Sequence, residues 1–445
     1  MIRDGVININ KNGHLVYWGL MGLFFLLVIL RNLLLLPIPV AVYLVIPVLI
    51  GIKCTKTEIV AFAISCLPLG STFQYKLALL FLLVIVFFRF GSSRKINRYV
   101  IPIVLMGVWE LLHAIVDVQF GVYEFFRSFA ELLFILLLIA DSQKNYDYSF
   151  VIDSLLICTT FICIVILLSL MRSGSIYDIL SSKYRFGVAS EDLEYGANIS
   201  DNRLGTICNI SILCLLQRQQ LKGNSLRDTI LLFVLIFFGL LTKSRTFLMC
   251  LALNLLYFFT IPSTMKKSRK YSLVVLVVLI SVWLLFQNRL SEVLGSFADR
   301  FKTTDITSGR NALMILYHDL IVSNSRVSLF GLGLQNLSDK LRSISIAYIN
   351  VPHNGIQEVL IIWGIPGLII VVSFVLSLLN SAKTVNKSIK RINLFPLFFV
   401  IIVIQAGQFI RSEIIMLIMS IVYLSLLTDF GERKIIDDTC CRSRQ

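Results

Sequence analysis

Long apolar runs recur along the whole chain, and they constrain its fold more than any other feature. Several reach the ~20 residues that an α-helix needs to cross the hydrocarbon core of a bilayer. The runs are continuously apolar rather than alternating, and open strands cannot satisfy their backbone groups in lipid. Of the 445 residues 57% are hydrophobic and only 15% are charged, too few to cover a surface that faces water. The sequence therefore predicts an all-α, polytopic membrane protein.

Fourteen apolar segments are candidate membrane spans. They lie near residues 15–30, 33–52, 58–70, 77–90, 99–116, 128–140, 149–171, 204–217, 229–242, 246–262, 271–287, 355–380, 394–410 and 413–428. The segments at 58–70, 128–140, 204–217 and 229–242 are short for a full crossing, so some are expected to be broken or tilted pieces. We therefore expect about 12 to 14 transmembrane helices.

Basic loops predict how these helices are oriented. Loops rich in Lys and Arg fall on one side of the predicted topology, at 53–56, 91–98, 217–227, 265–270 and 383–391. The positive-inside rule makes this side cytoplasmic. The predicted organisation is then transmembrane helices in 1–171, an outer loop in 172–203, transmembrane helices in 204–287, a long outer loop in 288–353, transmembrane helices in 354–428 and a cytoplasmic tail in 429–445.

Cations on the outer side run against this rule and require a reason. The two outer loops and the turn 243–245 together hold 13 Lys and Arg residues. An anionic substrate on the outer face would explain them. The turn places Ser244 and Arg245 between two apolar runs, and the planar fork of arginine suits two phosphate oxygens. Snorkelling of the charges to lipid headgroups is the structural alternative.

The long outer loop contains a predicted helix. It begins after Thr307-Ser308-Gly309 and places Arg310 in its first turn. Leu313, Leu316, Tyr317, Leu320 and Ile321 then share one face, as expected of a helix lying in the membrane interface. A lysine later in this loop, Lys340, is expected to be dispensable.

The loop ends in Pro352-His353-Asn354, just outside the next predicted span. A histidine here is suited to accept a proton from a sugar hydroxyl, and Asn354 is suited to orient it or to hold substrate. Glu358 follows one turn into the span, where it would also complement the helix dipole. A structural role remains the alternative for each of these residues.

Two further groups of polar residues are less specific. The outer loop 172–203 carries Arg185, Asp201-Asn202 and Arg203, and it is either a lid or sugar-binding loop or merely a solvated connection. Within predicted spans, one group lies on a helical face and a second on the following span: Glu110, His113 and Asp117, then Arg127 and Glu131. Intramembrane ionisable groups are functional candidates, and we expect these to support a cavity rather than to do chemistry.

The sequence does not indicate a metal site, a disulfide framework or a nucleic-acid-binding protein. The nine cysteines all fall in predicted spans or on the cytoplasmic side, and the four histidines are scattered. The net charge of +15 is sorted by membrane side, so it does not point to nucleic acid. No cofactor and no metal ion are predicted.

An ordered set of short motifs resembles the O-antigen polymerase and ligase superfamily of bacterial membrane glycosyltransferases. The motifs are Ser244-Arg245-Thr246, Ser308-Gly309-Arg310, Phe330 to Gly333, His353-Asn354, and Gly364 with Gly367; RFG at 185–187 and Asp201-Asn202 also match. Together they cover about residues 184–370. The bulky aromatic residue that often follows the loop arginine is not evident here, which blurs the choice between polymerase and ligase.

This resemblance implies a GT-C-like fold with one long outer loop. It implies a donor glycan on undecaprenyl pyrophosphate and, as acceptor, a sugar hydroxyl of another lipid-linked repeat unit. Arg245 and Arg310 would hold the pyrophosphate and His353 would activate the hydroxyl, with inversion and without a metal ion. Substrate contacts are expected from Asn354, Arg185, Arg203, Glu358 and Ser244.

The resemblance also implies a place in the cell and a set of partners. The chain is expected in the bacterial inner membrane with its site facing the periplasm or cell exterior, and with a flippase and a chain-length regulator in the same pathway. An O-antigen ligase acting on lipid A core is the alternative within the family. A lipid-linked sugar transporter is the alternative from another class, although the internal repeats that it would predict are not evident.

The topology is tested by labelling single cysteines with a membrane-impermeant maleimide, on a variant that lacks the native cysteines. Ser325→Cys should be labelled in intact cells, because the loop 288–353 is predicted to face outward. Ser268→Cys should be labelled only after permeabilisation. The reverse pattern would overturn the orientation.

Overall fold

The structure confirms the all-α prediction in the part of the chain that it describes. This computed structural model describes residues 13–69, 75–90, 101–116, 147–173, 201–222, 225–260, 310–334, 336–345 and 354–381, with positions 130, 134, 135, 137, 138, 186, 199, 417 and 421. Every regular element within these residues is helical. The predicted spans 271–287, 394–410 and 413–428 fall outside them, except for positions 417 and 421.

Thirteen α-helices are described, and we number them in chain order. They are α1 Gly13–Asn32, α2 Val40–Lys53, α3 Lys56–Ser65, α4 Tyr75–Phe90, α5 Ile101–Val116, α6 Tyr148–Ser173, α7 Asp201–Lys222, α8 Leu226–Leu241, α9 Arg245–Thr260, α10 Arg310–Ser323, α11 Ser325–Leu329, α12 Leu337–Ile344 and α13 Gly355–Ser381. A short 3₁₀ turn, Leu67–Leu69, follows α3.

Several of the described helices have the length or the apolar surface of membrane spans. Among the described helices, three are long and apolar enough to cross a bilayer, with windows at His14–Arg31, Tyr148–Met171 and Gly355–Leu376. Large apolar side chains point outward along several helices, for example Phe88 and Val116, which are 80% and 73% exposed. Apolar groups at that exposure are expected where the solvent is lipid, so the chain is a polytopic membrane protein.

Two predicted spans differ in extent from the helices observed. The span predicted at 33–52 begins only at Val40, because Pro37 and Pro39 disfavour helix in the residues before them. The short span predicted at 204–217 is instead part of α7, a helix of 22 residues. The apolar run was short because α7 continues into polar residues, which are themselves buried at Gln217 and Gln219.

The helix α3 is buried among its neighbours rather than facing lipid. It is buried from Glu58 to Ser65, and it packs mainly against α6. A capping box begins it: the Thr55 side chain accepts the N–H of Glu58, and the Glu58 carboxylate accepts the N–H of Thr55. The same carboxylate lies 3.0 Å from Nδ1 of His14, which stacks on Phe150 at the start of α6. These contacts tie α1, α3 and α6 together at one end.

A second group of ion pairs joins the ends of α6, α7 and α8. Arg218 is 6% exposed and pairs with both Asp153 and Asp228, while Arg227 also pairs with Asp153. Asp228 lies in the first turn of α8, whose N-terminus is capped by Ser225. The predicted topology places this group on the cytoplasmic side, so the positive charge found there is partly neutralised within the protein.

The cysteines in the described residues are all free thiols, as the sequence predicts. The sulfur atoms of Cys163 on α6 and Cys208 on α7 approach to 3.8 Å inside the helix packing. In the turn between α2 and α3, burial and the nearby Glu58 carboxylate raise the pKa of the Cys54 thiol to about 12, against a smaller opposing effect of Arg89. Cys54 therefore stays a thiol at physiological pH. The pair Cys440-Cys441 lies outside the described residues.

The last long helix, α13, is broken at Gly364. This residue has φ of 63° and ψ of −160°, a conformation adopted essentially by glycine alone. In an intact helix the carbonyl of Ile362 would accept a hydrogen bond from the N–H of residue 366, but that residue is proline and has no N–H. The break therefore leaves carbonyl groups that must find donors elsewhere, because unsatisfied backbone groups are costly in lipid.

The segment Phe330 to Gly333 supplies these donors. The N–H of Leu332 donates to the Ile361 carbonyl and that of Gly333 to the Ile362 carbonyl, both at 2.8 Å. A Cβ on Gly331, where φ is 82°, would lie 2.4 Å from the Ile362 carbonyl oxygen. Glycine is therefore required for the two backbones to approach this closely.

Replacing Gly364 by alanine should destabilise the protein. A Cβ would lie 2.7 Å from the backbone of Leu329 and Phe330, and the positive φ adds strain of about 1–3 kcal/mol. The control is Gly22→Ala in α1, where a Cβ meets nothing within 4 Å and helix propensity improves. Thermal unfolding in detergent should show a lower midpoint for Gly364→Ala only. Equal midpoints for the two variants would contradict the broken helix.

Candidate active site

The turn between α8 and α9 is tight and buried. Lys243 adopts a left-handed conformation with φ of 51°, and the hydroxyl of Thr242 donates to the Gly239 carbonyl at 2.6 Å. Lys243 and Ser244 are only 5% and 2% exposed. The connection between α8 and α9 is therefore short and ordered, and Lys243 is buried in it.

Ser244 caps α9 and connects it to α7. Its hydroxyl accepts the N–H of Phe247 at 3.3 Å and donates to Oδ1 of Asn202 at 2.8 Å. One turn into α7, a Cβ on Gly205 would lie 3.0 Å from the Thr242 hydroxyl and 3.1 Å from Cβ of Phe247, so a glycine allows this approach. The structure therefore brings the turn at Ser244-Arg245-Thr246, the SRT turn, next to Asn202. Ser244 thus has a structural role, separate from the substrate contact predicted for it.

The first outer loop is anchored at the same turn. The N–H of Phe186 donates to the carbonyl of Leu241 at 3.3 Å, and its fully buried ring stacks on Phe238 at 5.3 Å. Arg185, which precedes Phe186, lies outside the described residues. Arg203 is exposed in the first turn of α7. At Phe186 the loop therefore packs against α8.

The predicted arginines each begin a helix. Arg245 is the first residue of α9 and Arg310 is the first residue of α10. A helix N-terminus carries about half a positive charge and a set of N–H groups without partners in the helix, so it attracts anions. By the predicted topology, α7, α9, α10 and α13 all begin on the outer side.

The beginnings of α10 and α13 are joined. The Gln357 side-chain amide donates to the Met314 carbonyl at 2.8 Å. Asn354 caps α13, its Oδ1 accepting the N–H groups of Ile356 and Gln357 at 2.9 and 3.2 Å. Met314 is four residues after Arg310, or ~6 Å along the helix. The structure thus places the beginning of α10 next to the beginning of α13.

The remaining predicted residues of this region divide into two cases. Glu358 is 1% exposed and lies in the first turn of α13, the position that its predicted dipole role requires. His353 immediately precedes the Asn354 cap and lies outside the described residues. Its covalent position ties it to the beginning of α13.

The apolar face predicted for α10 is present, but it packs against protein. Tyr317 and Leu320 are 0% and 2% exposed, and α10 contacts both α11 and α13. Ile315 and Val322, on another face, are 63% and 70% exposed. The prediction was therefore right about the helix and wrong about which apolar side chains face outward, because helical periodicity does not distinguish protein from lipid as a neighbour.

Residues of α5 support the segment Phe330 to Gly333. His113 Nε2 donates to the Phe330 carbonyl at 2.9 Å, and Glu110 accepts the N–H of Leu334 at 2.7 Å. These contacts agree with the supporting role expected for both residues. Lys340 donates to the Leu332 carbonyl at 2.6 Å, so it also contacts this segment.

The comparison with protein families supports the resemblance seen in the motifs. Residues 230–372 match the family model described as O-Antigen ligase. The matched segment is thus similar to the O-antigen polymerase and ligase superfamily. It runs from α8 to α13 and includes every motif from SRT to the two glycines of α13. No curated protein shows a significant match to the chain.

The family match supports an O-antigen polymerase or ligase activity, acting on a lipid-linked polysaccharide. The predicted residues fall in two clusters: Ser244, Arg245 and Arg203 at the beginnings of α7 and α9, and Arg310, Asn354 and Glu358 at those of α10 and α13. Within the described residues no group of three or more His, Cys, Asp or Glu side chains forms a metal site.

Proposed function

We propose that the protein is a polymerase of O-antigen or a related surface polysaccharide. It transfers a glycan from undecaprenyl pyrophosphate to a sugar hydroxyl of another lipid-linked repeat unit. The reaction takes place on the outer face of the bacterial inner membrane. A flippase that delivers the donor and a regulator of chain length are its expected partners in the pathway.

The observation that carries the proposal is the joined beginning of α10 and α13. It places a helix that starts with Arg310 beside a helix capped by Asn354, with His353 directly before the cap. This contact supports the proposal that anion-binding groups and a candidate base act in one place. Transfer from a pyrophosphate-linked sugar needs both of these chemical groups.

The chemistry follows from the nature of the leaving group. As the bond between the anomeric carbon and the phosphate oxygen breaks, negative charge develops on the pyrophosphate, which leaves without being protonated by a general acid. Arg245 and Arg310, at the N-termini of α9 and α10, would stabilise this charge. His353 would accept the proton of the attacking hydroxyl, and a single displacement inverts the anomeric carbon. No metal ion is required by these steps.

The other predicted residues would hold the two glycans. Arg203 is exposed beside the SRT turn and Arg185 adjoins the anchored Phe186, so both are suited to contact the donor. Asn354 and Ser244 cap the N-termini of α13 and α9, and each would also contact a sugar or phosphate oxygen. Glu358 would interact with the helix end and with a nearby sugar hydroxyl.

Deleting the gene separates the polymerase from the ligase alternative. In a strain that makes lipopolysaccharide, loss of a polymerase should leave core carrying a single repeat unit. Gel electrophoresis of the lipopolysaccharide reads this directly, and the plasmid-borne gene should restore the ladder. Bare core with long polymer still on the lipid carrier would instead establish the ligase.

Substitutions at the three proposed catalytic positions test the mechanism. Arg245→Lys and Arg310→Lys should each lose most activity, because lysine keeps the charge but not the two-pronged hydrogen bonding. His353→Ala should abolish polymer formation while the lipid-linked donor still binds. Polymer length and donor binding in membranes are the measurements.

The matched control is Arg342→Ala, an exposed cation of the same outer loop, which should leave polymer length unchanged. Protein levels are compared by immunoblot. Normal polymer from His353→Ala, or from both Arg→Lys variants, would make the catalytic assignment wrong. The outer positive charge would then be explained by lipid anchoring.

A further inference from the structure

Glu110 is a buried carboxylate that precedes the family-matched segment and that the proposed mechanism does not use. It lies in the last two turns of α5 with 1% of its surface exposed. Its Oε1 accepts the backbone N–H of Leu334 at 2.7 Å, and its Oε2 accepts the indole N–H of Trp363 at 2.9 Å. One side chain thus joins α5, the segment after α11 and the residue just before the break in α13.

The outer part of α13 needs this connection because the helix does not continue through Gly364. Residues 355–363 form a separate helical piece, so the rest of α13 does not dictate its direction. The last carbonyls of this piece accept hydrogen bonds from outside α13. The N–H groups of Leu332 and Gly333 donate to two of them, and the indole N–H of Trp109 donates to the Trp363 carbonyl at 3.0 Å. Trp109 and Glu110 both belong to α5, so α5 sets how the outer piece is held.

The piece 355–363 separates the contacts at Trp363 from the candidate base His353, which precedes the other end of the piece. Trp363 and Asn354 are nine residues apart, which is ~14 Å along a helix. A tilt of ~5° at the Trp363 end therefore moves the Asn354 end by ~1 Å. Misplacement of a reacting group by ~1 Å can reduce a rate by ~100-fold. Fixing this angle is a catalytic requirement as well as a structural one.

We infer that Glu110 is a positioning residue for glycosyl transfer. It fixes the angle of residues 355–363 through Trp363 and Leu334, and so places His353 against the substrate. The inference rests on the proposed function. Since the contacts of Glu110 described above are with Leu334 and Trp363 rather than with the helix starts proposed to bind the donor, its loss should slow turnover and leave donor affinity intact.

The test compares Glu110→Gln with the native chain in nanodiscs. The substrate is the lipid-linked repeat unit isolated from cells deleted for this gene. Glutamine is isosteric with glutamate, but its amide NH₂ must face one of the two donors. We expect kcat per monodisperse protein to fall by about tenfold or more, with KM for the repeat unit within about twofold of the native value.

The control is Glu58→Gln, the same substitution at another carboxylate that is 1% exposed and hydrogen-bonded. The predicted topology places it on the cytoplasmic side, away from the beginnings of α10 and α13, so the substitution should lower the unfolding temperature and leave kcat unchanged. Equal kcat losses in the two variants would show that Glu110 is merely structural and would overturn the inference.

Removing the indole donor provides a second variant. Trp363→Phe keeps an aromatic ring but removes the N–H that Glu110 accepts, together with part of the buried indole. In the double variant with Glu110→Gln, the indole N–H is absent. The glutamine oxygen can then accept the Leu334 N–H while its NH₂ group no longer faces an N–H donor at position 363. The kcat losses of the two single variants should therefore not multiply. Fully multiplicative losses would contradict the contact as the origin of the effect.

The two proposals fail in different ways. If the native chain forms no polymer from the repeat unit, the proposed function is wrong. If the native chain is active and Glu110→Gln turns over at the native rate, the function stands and the positioning role is wrong.

Discussion

A backbone carbonyl cannot be left without a donor in a membrane, and the region around the candidate site is organised by that constraint. Gly364 breaks α13, and Pro366 has no N–H to donate to the carbonyl of Ile362 within the helix. The donors come from Leu332 and Gly333, so the outer loop must return to α13 at this place. The glycines of two separate motifs therefore have one physical explanation, which is the close approach of two backbones.

The two ends of the helix packing treat charge differently. At the end predicted to be cytoplasmic, Arg218 is paired with Asp153 and Asp228 inside the protein. At the other end, helices begin at Arg245 and Arg310, where the partial charge of each N-terminus adds to that of the side chain. One end thus partly neutralises its charges internally, whereas the end predicted to be the outer one gains positive charge at these two helix starts. This asymmetry suits a pyrophosphate-linked substrate.

The sequence was sufficient for the helices and for the order of the motifs, but not for the contacts between distant residues. Continuous apolar runs predict helices directly, and Thr307-Ser308-Gly309 correctly precedes α10. The predicted start of α2 was wrong because hydropathy does not take account of how Pro37 and Pro39 restrict the backbone. Glu110 was expected to have a supporting role, yet its partners are 224 and 253 positions away along the chain. Helical periodicity contains no information about such pairs.

The anchor at Phe186 has a consequence for how such a protein can change. One end of the segment 187–198 adjoins Phe186, which is held against Leu241 and Phe238. The other end continues through the buried Ile199 into α7, which Asn202 ties to Ser244. The entropy cost of closing a connection between two fixed points grows slowly with its length, by about 0.6 kcal/mol per doubling. Insertions or deletions here would leave both anchors and the helices in place. One helical frame can therefore acquire loops for different glycans without having to rebuild its fold.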